Sequence, residues 1–324
     1  MERYRVCIIG MGDIGFLFDH DRKGEGALTH YKAFNDSDNF EVTGVCEIRK
    51  ETAEIISREY GTDVFENYEK MCEEKKPDII VVAANDESHP GILYDLTKYK
   101  PALVFCEKPL ALTLGEVRDI VSMYEQEGIP LQVNFTRRFL EEFYEIKKII
   151  EENKIGGIES ITFYYQRGLI HNASHYIDLV NWYIGETEKN IIRISTKEGI
   201  TADDDTIGFD MIYENGLEIR FIGLSNSKLS FAEIDLVGTK GRIRLNYKNE
   251  IEKYRVTENK MFKGYSAYEL YECQPIQYPK ALPNAVKNIY DFLQGREKLR
   301  SPAANSIKIF ELINRIKENK LCLN

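Results

Sequence analysis

The stretch that decides the fold is Arg5-Val6-Cys7-Ile8-Ile9-Gly10-Met11-Gly12-Asp13-Ile14-Gly15. An apolar run of strand length enters a Gly-x-Gly-x-x-Gly turn, and a helical pattern follows. Gly10 permits the tight turn, Gly12 leaves room beside the backbone, and Gly15 lets the next helix pack close to the strand. Helix N-termini attract phosphate groups, so Gly10, Gly12, Asp13, Ile14 and Gly15 are predicted to hold the pyrophosphate of a dinucleotide. A tight turn without a ligand is the alternative.

Length and composition restrict the class of protein. The chain has 324 residues, which is room for two domains, and 43% of them are hydrophobic, enough for an ordinary core. The net charge of −10 argues against nonspecific binding to nucleic acid or anionic membranes. No apolar stretch reaches transmembrane length, and the N-terminus lacks a signal-peptide pattern. The six cysteines contain no C-x-x-C pair, so we expect small buried thiols in a reducing cytoplasm.

Further apolar strands alternate with helical patterns in the first half of the chain. They cover residues 40–47, 78–84 and 102–106, and this alternation predicts a parallel, doubly wound sheet of the Rossmann type. Ligands of such sheets bind beyond the carboxyl ends of the strands. Residues 19–26, between the first helix and the second strand, have the composition of an exposed loop.

Several polar residues follow these strands at the predicted ligand-binding edge. Glu47 ends the second strand, where an acid accepts hydrogen bonds from the adenosine ribose; a helix N-terminal acid is the alternative. A carboxylate there repels a 2′-phosphate and favours NAD, whereas Arg49 and Lys50 nearby leave NADP open. The predicted cofactor-binding positions beyond the glycine turn are Glu47, Arg49, Ala84, Asn85, His89, Glu107, Lys108 and Asn134.

The character of the sequence changes after Gly156-Gly157. Alternating strands and hairpin signals such as Asn215-Gly216 predict an α+β domain with a large, mainly antiparallel open sheet. Residues 257–280 are rich in tyrosine and are expected to be irregular. We therefore predict a dinucleotide-binding domain over residues 1–125 and a substrate-binding and oligomerisation domain over 126–324, whose C-terminal helix can pack back on the first domain.

Four motifs in this order resemble the Gfo/Idh/MocA family of nicotinamide-dependent oxidoreductases. They are Gly10-x-Gly12-x-x-Gly15, Glu107-Lys108-Pro109, Asn134-Phe135-Thr136-Arg137 and His171-x-x-x-His175-x-x-Asp178. The resemblance covers essentially the whole chain, and the Glu-Lys-Pro motif is its most specific part. It implies a Rossmann domain followed by an open sheet that often forms the oligomer interface, hence a homodimer or homotetramer.

The resemblance also implies roles for particular residues. Lys108 is expected to reach the substrate beside the nicotinamide, and His175 or His171 to exchange its proton. The family pattern has an aspartate where this chain has His171, so which of the two histidines is the general base stays open. The substrate-binding positions implied are Lys108, Arg137, His171, His175 and Asp178. Two histidines four residues apart can also bind zinc, but no third ligand has suitable spacing, and no metal is expected.

The implied activity is transfer of a hydride to or from a hydroxyl or carbonyl carbon, with NAD or NADP as cofactor. The substrate implied is a sugar, a cyclitol or an activated amino sugar. His171 and the loop at 84–89 depart from the family pattern and keep two alternatives open. One is a noncatalytic cofactor-binding sensor or assembly protein. The other is an NAD-dependent epimerase or glycosidase without net redox change.

Overall fold

The computed structural model describes residues 3–185, 189–199, 201, 203–225 and 232–319. The chain divides into two compact units. The first unit contains residues 1–140 and 277–307, and the second contains residues 141–276 and 308–324. The predicted domain division at residue 125 stays a prediction. Within the described residues, no helix combines the length and apolar character needed to cross a membrane.

The strands of the described residues are β1 (Tyr4–Ile9), β2 (Phe40–Cys46), β3 (Val64–Phe65), β4 (Ile79–Val82), β5 (Leu103–Cys106), β6 (Leu131–Val133), β7 (Ile158–Tyr165), β8 (Lys189–Lys197), β9 (Thr206–Tyr213), β10 (Glu218–Gly223), β11 (Glu233–Gly238), β12 (Gly241–Leu245), β13 (Glu250–Glu258) and β14 (Ser266–Pro275). The α-helices are α1 (Phe18–His20), α2 (His30–Asn35), α3 (Lys50–Ile55), α4 (Tyr68–Lys75), α5 (His89–Leu96), α6 (Leu114–Gln126), α7 (Glu141–Glu151), α8 (Ser174–Tyr183), α9 (Ala281–Leu293) and α10 (Ala304–Glu318). Short π-helical turns lie at Asp13–Leu17, Ile56–Tyr60 and Leu169–Ala173, and 3₁₀ turns at Asp86–Ser88, Thr97–Tyr99, Thr136–Phe139 and Tyr278–Lys280.

The first unit is built on a six-stranded parallel sheet in the order β3-β2-β1-β4-β5-β6. This confirms the predicted doubly wound sheet. Strands β4 and β5 are buried along their whole length, as expected where helices cover both faces. Helix α9 belongs to the same core, where Leu282, Ala285 and Ile289 are buried with Val6 and Phe105.

The strand order reverses between β1 and β4, which are hydrogen-bonded neighbours. The chain leaves β1 and β4 in opposite directions across the sheet, so a crevice opens beyond their carboxyl ends. The glycine turn follows β1, the loop at 84–89 follows β4, and Glu107 follows β5. The fold therefore gathers these predicted site positions at one edge of the sheet.

Residues 19–26 were predicted to form an exposed loop, and the structure differs from this prediction at Asp19. Asp19 is only 9% exposed and is buried beneath the loop rather than solvated. Its carboxylate accepts hydrogen bonds from Arg22 Nε, from the backbone N–H groups of Leu28 and Thr29, and from Thr29 Oγ1, at 2.6–2.9 Å. A polar side chain with this many donors is stable away from water.

The second unit contains an eight-stranded sheet in the order β14-β13-β12-β11-β7-β10-β9-β8. Strand β7 runs parallel to β10, and the other described neighbours are antiparallel, which confirms the predicted mainly antiparallel sheet. Helix α8 covers its inner face, where the rings of Tyr176 and Phe163 lie 5.3 Å apart. The outer face carries arginine–carboxylate pairs: Arg220–Asp210, Arg242–Asp235 and Arg244–Glu233.

The prediction that residues 257–280 are irregular is wrong. Strand β14 pairs antiparallel with β13 from Ser266 to Pro275. None of its side chains is buried. A strand with neither face fully buried lacks the alternation of polar and apolar residues on which strand prediction depends.

Candidate active site

The glycine turn after β1 has the geometry that its sequence predicts. Gly10 has a φ of +90°, and a Cβ there would lie 2.6 Å from the Ala83 carbonyl oxygen and the Ala84 nitrogen. At Gly12, by contrast, the nearest atom to an added Cβ is a guanidinium nitrogen of Arg49 at 3.8 Å. Gly12 is the N-cap of the π-helical turn and offers no side chain to cap it. The backbone at Gly12 is therefore open to a ligand at a helix N-terminus.

Glu47 lies directly after β2, beside this turn, and is only 5% exposed. Its Oε2 accepts the Met11 N–H at 3.1 Å, its Oε1 accepts the Arg49 N–H at 2.8 Å, and the Arg49 guanidinium donates to both oxygens. Burial by itself would raise the pKa of Glu47, but these hydrogen bonds and the charge of Arg49 hold the pKa below its ordinary value. An ionised carboxylate is thus fastened to the glycine turn.

The loop after β4 is organised by His89. Its side chain is fully buried, with Nδ1 2.8 Å from the Pro109 carbonyl oxygen and Nε2 3.1 Å from the Ala84 carbonyl oxygen. Carbonyl oxygens only accept hydrogen bonds, and a neutral imidazole carries a single N–H, so His89 donates to one of these two oxygens at a time. The ring lies between this loop and the chain after β5. Asn85 is exposed, and its Oδ1 accepts the Ser88 hydroxyl at 2.6 Å. Cofactor contacts at Ala84, Asn85 and His89 stay predictions.

Glu107 and Lys108 follow β5, and the Lys108–Pro109 peptide bond is cis. Glu107 is 8% exposed, and Lys108 is half-buried. Asn134, which follows β6 and is 2% exposed, donates from Nδ2 to Glu107 Oε1 at 2.6 Å. The structure therefore brings two of the predicted cofactor-binding residues, Glu107 and Asn134, into direct contact beside Lys108.

Sequence analysis missed His30 in this cluster. His30 Nε2 lies 2.7 Å from Glu107 Oε1, and the imidazole has no solvent exposure. The two residues are 77 positions apart, and His30 lies outside every motif. A histidine at the start of a short helix carries no local signal that it contacts the end of a distant strand.

Arg137 lies in the 3₁₀ turn Thr136–Phe139 after β6 and is 9% exposed. An arginine almost never lies this deep without partners for its charge. Its predicted substrate contact stays a prediction.

In the second unit, one helical segment carries His171, His175 and Asp178. It begins with the π-helical turn Leu169–Ala173 and continues as α8. His171 and His175 are half-buried, and Asp178 is 1% exposed. Residues three and four apart on a helix are neighbours on its surface, so these side chains can share one face. Their chemical roles stay predictions. Across the described residues, no group of three or more His, Cys, Asp or Glu side chains is arranged to hold a metal ion.

Asp204 positions the start of this helical segment. The sequence analysis did not predict this role. Its carboxylate accepts the backbone N–H groups of Ile170 at 2.7 Å and of His171 at 2.8 Å. Gly168, with a φ of +98°, packs so closely on this carboxylate that a Cβ would overlap it. A glycine just before the histidine segment was the available signal, but the cap comes from a residue 33 positions away from His171.

The sheet order, the glycine turn and the acid after β2 are the features of a dinucleotide-binding Rossmann domain. Comparison with known proteins agrees with this class. Residues 4–135 match a family described as an oxidoreductase family with an NAD-binding Rossmann fold. Over these residues the chain matches the Gfo/Idh/MocA family that its motifs predict.

Individual relatives lie at moderate to low identity. An inositol 2-dehydrogenase/D-chiro-inositol 3-dehydrogenase of Lactiplantibacillus plantarum is 29% identical over 60% of this chain, and the match spans 56% of that relative, about half its length. A glucose-6-phosphate 3-dehydrogenase of Bacillus subtilis is 25% identical over 94% of this chain and 87% of the relative. An oxidoreductase of Agrobacterium radiobacter, solved with NAD+, L-tartaric acid and magnesium, has the same fold. Its TM-score is 0.75 at 15% identity, over 98% of this chain and 96% of that chain.

Proposed function

We propose that this chain is an NAD(P)-dependent oxidoreductase that transfers a hydride to or from a hydroxyl or carbonyl carbon of a sugar, a cyclitol or an activated sugar. The observation that carries the proposal is the carboxyl edge of the parallel sheet. There the open glycine turn after β1 and the Glu107–Lys108 pair after β5 lie on either side of β4. This is the position at which doubly wound sheets bind their ligands.

The residues after β1 and β2 fit a dinucleotide. The pyrophosphate would bind at Gly10, Gly12 and Gly15, with the backbone N–H groups at the start of the helix as donors. A ribose would bind at Glu47, whose ionised carboxylate accepts hydroxyl hydrogen bonds and repels a 2′-phosphate. We therefore propose NAD as the preferred cofactor. The half-exposed Arg49 guanidinium, already bound to Glu47, is the feature that could admit NADP.

In the proposed reaction the bound nicotinamide supplies or accepts the hydride. Lys108 hydrogen-bonds the reacting oxygen and orients it. His175 or His171 exchanges the proton of that oxygen, because an imidazole titrates near neutral pH. Arg137 and Asp178 are proposed to bind other polar groups of the substrate.

The relatives support a polyhydroxylated substrate. The inositol and glucose-6-phosphate dehydrogenases both act, by name, on carbons that carry hydroxyl groups. A sugar or cyclitol presents hydroxyl donors and acceptors on every carbon, which charged and imidazole side chains can bind. We also propose a cytoplasmic location, because Cys7, Cys46, Cys72 and Cys106 are buried and form no disulfide.

The first experiment measures cofactor binding and turnover by the wild-type protein. NADH and NADPH are titrated by fluorescence, and cyclitols, sugars, sugar phosphates and nucleotide sugars are then screened for NAD+ reduction. Binding of NADH together with turnover of one of these substrates supports the proposal. Binding without turnover across the panel favours a cofactor-binding sensor, and a changed substrate without net reduction of NAD+ favours an epimerase or glycosidase.

The second experiment tests the role of Lys108. Lys108→Ala is expected to keep NADH affinity and thermal stability but to lower kcat by about a hundredfold or more, the usual size of a lost acid–base or orienting group. The matched control is Lys98→Ala, which removes an exposed lysine paired with Glu69 in the same unit. A Lys108→Ala protein with wild-type kcat would exclude this lysine from the reaction.

A further inference from the structure

His30 is a buried histidine outside every motif of the sequence. It is the first residue of α2 and is fully buried. Its Nε2 lies 2.7 Å from Glu107 Oε1, and its ring packs edge-on against Phe105 with centroids 5.0 Å apart. A buried hydrogen bond between a histidine and a carboxylate is directional and strong.

The Glu107 carboxylate is held at both oxygens. Oε1 accepts from His30 and from Asn134 Nδ2, and Oε2 accepts the backbone N–H of Lys108 at 3.3 Å. Burial alone would raise the pKa of Glu107, but the hydrogen bond and charge of His30, the amide of Asn134 and the charge of Lys108 hold it below its ordinary value. Glu107 is thus an anion, and His30 Nε2 must be a proton donor to it.

This arrangement has a cost in stability. Among the described residues, His30 Nδ1 and Asn134 Oδ1 are buried without a hydrogen-bond partner. A buried polar atom without a partner destabilises the folded protein, so an apolar core would be the more stable solution here. Local arrangements that lower stability are found mainly at functional sites.

His30 is itself held rigidly. Thr29 is the N-cap of α2, and its N–H and hydroxyl both donate to the buried Asp19 carboxylate. Contacts therefore run without interruption from Asp19 through Thr29 and His30 to Glu107 and the backbone of Lys108. All of these residues belong to the first unit.

We propose that His30 is a positioning residue, which acts through Glu107 to fix the backbone of Lys108 and to maintain a negative charge beside its ammonium group. The inference deepens the proposed function and rests on it for the role of Lys108. The titratable groups that act on Glu107 include His30, from α2, and Lys108, at the end of its own strand.

The test uses a readout that does not depend on turnover. Acetylation of Lys108 by acetic anhydride is followed by peptide mass spectrometry as a function of pH, which reports the fraction of neutral amine. In His30→Phe the donor is lost and Glu107 is less well held as an anion. The pH midpoint of Lys108 acetylation is expected to fall by about one pH unit, which is the effect of one nearby opposite charge. His30→Gln places an amide donor near the position of Nε2 and is expected to restore most of the shift.

Two controls keep the result interpretable. His20→Phe makes the same substitution at a histidine of the same unit that packs on Phe16 and contacts Tyr60, and it is expected to leave the Lys108 midpoint unchanged. If His30→Phe does not fold, Glu107→Gln removes the charge with little change of volume and should lower the midpoint in the same way. A folded His30→Phe, or failing that Glu107→Gln, with the wild-type Lys108 midpoint overturns the proposal.

The failure of this inference can be told from the failure of the proposed function. With an identified substrate, His30→Phe should lower kcat by about tenfold to a hundredfold, as for a misplaced catalytic group, while NADH affinity stays within about twofold. A shifted Lys108 midpoint in a protein that turns over no substrate would retain the positioning role and refute the enzyme. Wild-type turnover that requires Lys108, with an unshifted midpoint in His30→Phe, would retain the enzyme and refute the positioning role of His30.

Discussion

Asp19 shows how one carboxylate can organise the loop of residues 19–26 and the start of the helix that follows it. Its two oxygens accept four hydrogen bonds, and two of these come from Thr29, the N-cap of α2. Burial by itself would raise the pKa of Asp19, but the hydrogen bonds of Arg22, Leu28 and Thr29 together hold the pKa below its ordinary value of 3.8. The folded protein therefore stabilises the ionised Asp19 carboxylate more than the unfolded chain does.

The sign of the pH dependence follows from this direction. A group whose pKa is lower in the folded state contributes stability above its unfolded pKa, and loses that contribution as the pH falls through its folded pKa. Asp19→Asn is expected to reduce the free energy of unfolding at pH 7 by about 2 kcal/mol, because charge-assisted hydrogen bonds are lost. The difference from wild type should shrink below pH 3.8. Urea unfolding between pH 3 and pH 7 (about one measurement per unit) checks both points.

The control for Asp19 is Asp36→Asn. Asp36 is 51% exposed and forms an exposed ion pair with Lys32 four residues earlier, so its loss should change stability by less than about 0.5 kcal/mol. Asp19→Asn and wild-type curves that stay parallel down to the lowest pH would contradict the assignment.

Glu47 is the residue that should decide between the two cofactors. Glu47→Gln removes the charge but keeps an oxygen that can accept the Met11 N–H. The ratio of the NADPH to the NADH dissociation constant is expected to fall by about tenfold, because the repulsion of the 2′-phosphate is lost. Fluorescence titration with both cofactors measures the ratio, and Glu51→Gln on the exposed face of α3 is the control. Wild-type protein that binds NADPH more tightly than NADH would refute the role of Glu47.

At the scale of the element, the helical segment with His171 and His175 depends on how it begins. The N-cap residue Gly168 has no side chain with which to cap it, and the cap comes from the Asp204 carboxylate. Gly168→Ala would force a Cβ into that carboxylate at a positive φ, so both the cap and the local backbone are strained. We expect a loss of about 2 kcal/mol or more in the free energy of unfolding.

Thermal and urea unfolding measure the effect of Gly168→Ala. Gly157→Ala is the matched control, since a Cβ at Gly157 would meet no atom within 4 Å. Equal destabilisation by the two substitutions would show that the Asp204 contact does not anchor the segment.

At the scale of the whole molecule, the sheet of the second unit presents an open outer face. Half-exposed apolar side chains on β13 and β14 lie among its arginine–carboxylate pairs: Val256, Tyr268, Leu270 and Tyr271. We propose that this sheet is the contact between copies of the chain in a homodimer or homotetramer. Homodimer interfaces are richer in apolar groups than the rest of a protein surface.

Leu270→Glu tests the proposed interface. Leu270 pairs with Tyr254 in the β13–β14 register and is 49% exposed. A carboxylate there would be buried without a partner on association, so the oligomer should dissociate at least about tenfold more readily. Light scattering at several concentrations measures this. Leu112→Glu, at a 38% exposed leucine of the first unit, is the control. A wild-type protein that is monomeric at high concentration would contradict the proposal.

Local patterns in the sequence determined much of the secondary structure of this protein. The glycine spacing predicted the turn after β1, the apolar runs predicted β4 and β5, and the alternating runs predicted most of the second sheet. These features depend on neighbours within a few residues, through backbone conformation and side-chain periodicity, and are therefore written in short stretches.

Only the tertiary structure decided which distant side chains meet. His30 reaches Glu107 from 77 residues away, Asn134 reaches it from 27, and Asp204 caps a helix 33 residues before it. Strand β14 exists because β13 offers it a hydrogen-bonding edge, and its own composition gives no such indication. Contacts of this kind depend on how the elements pack, since the pairing energy of a buried polar group is set by the partner that the fold places beside it.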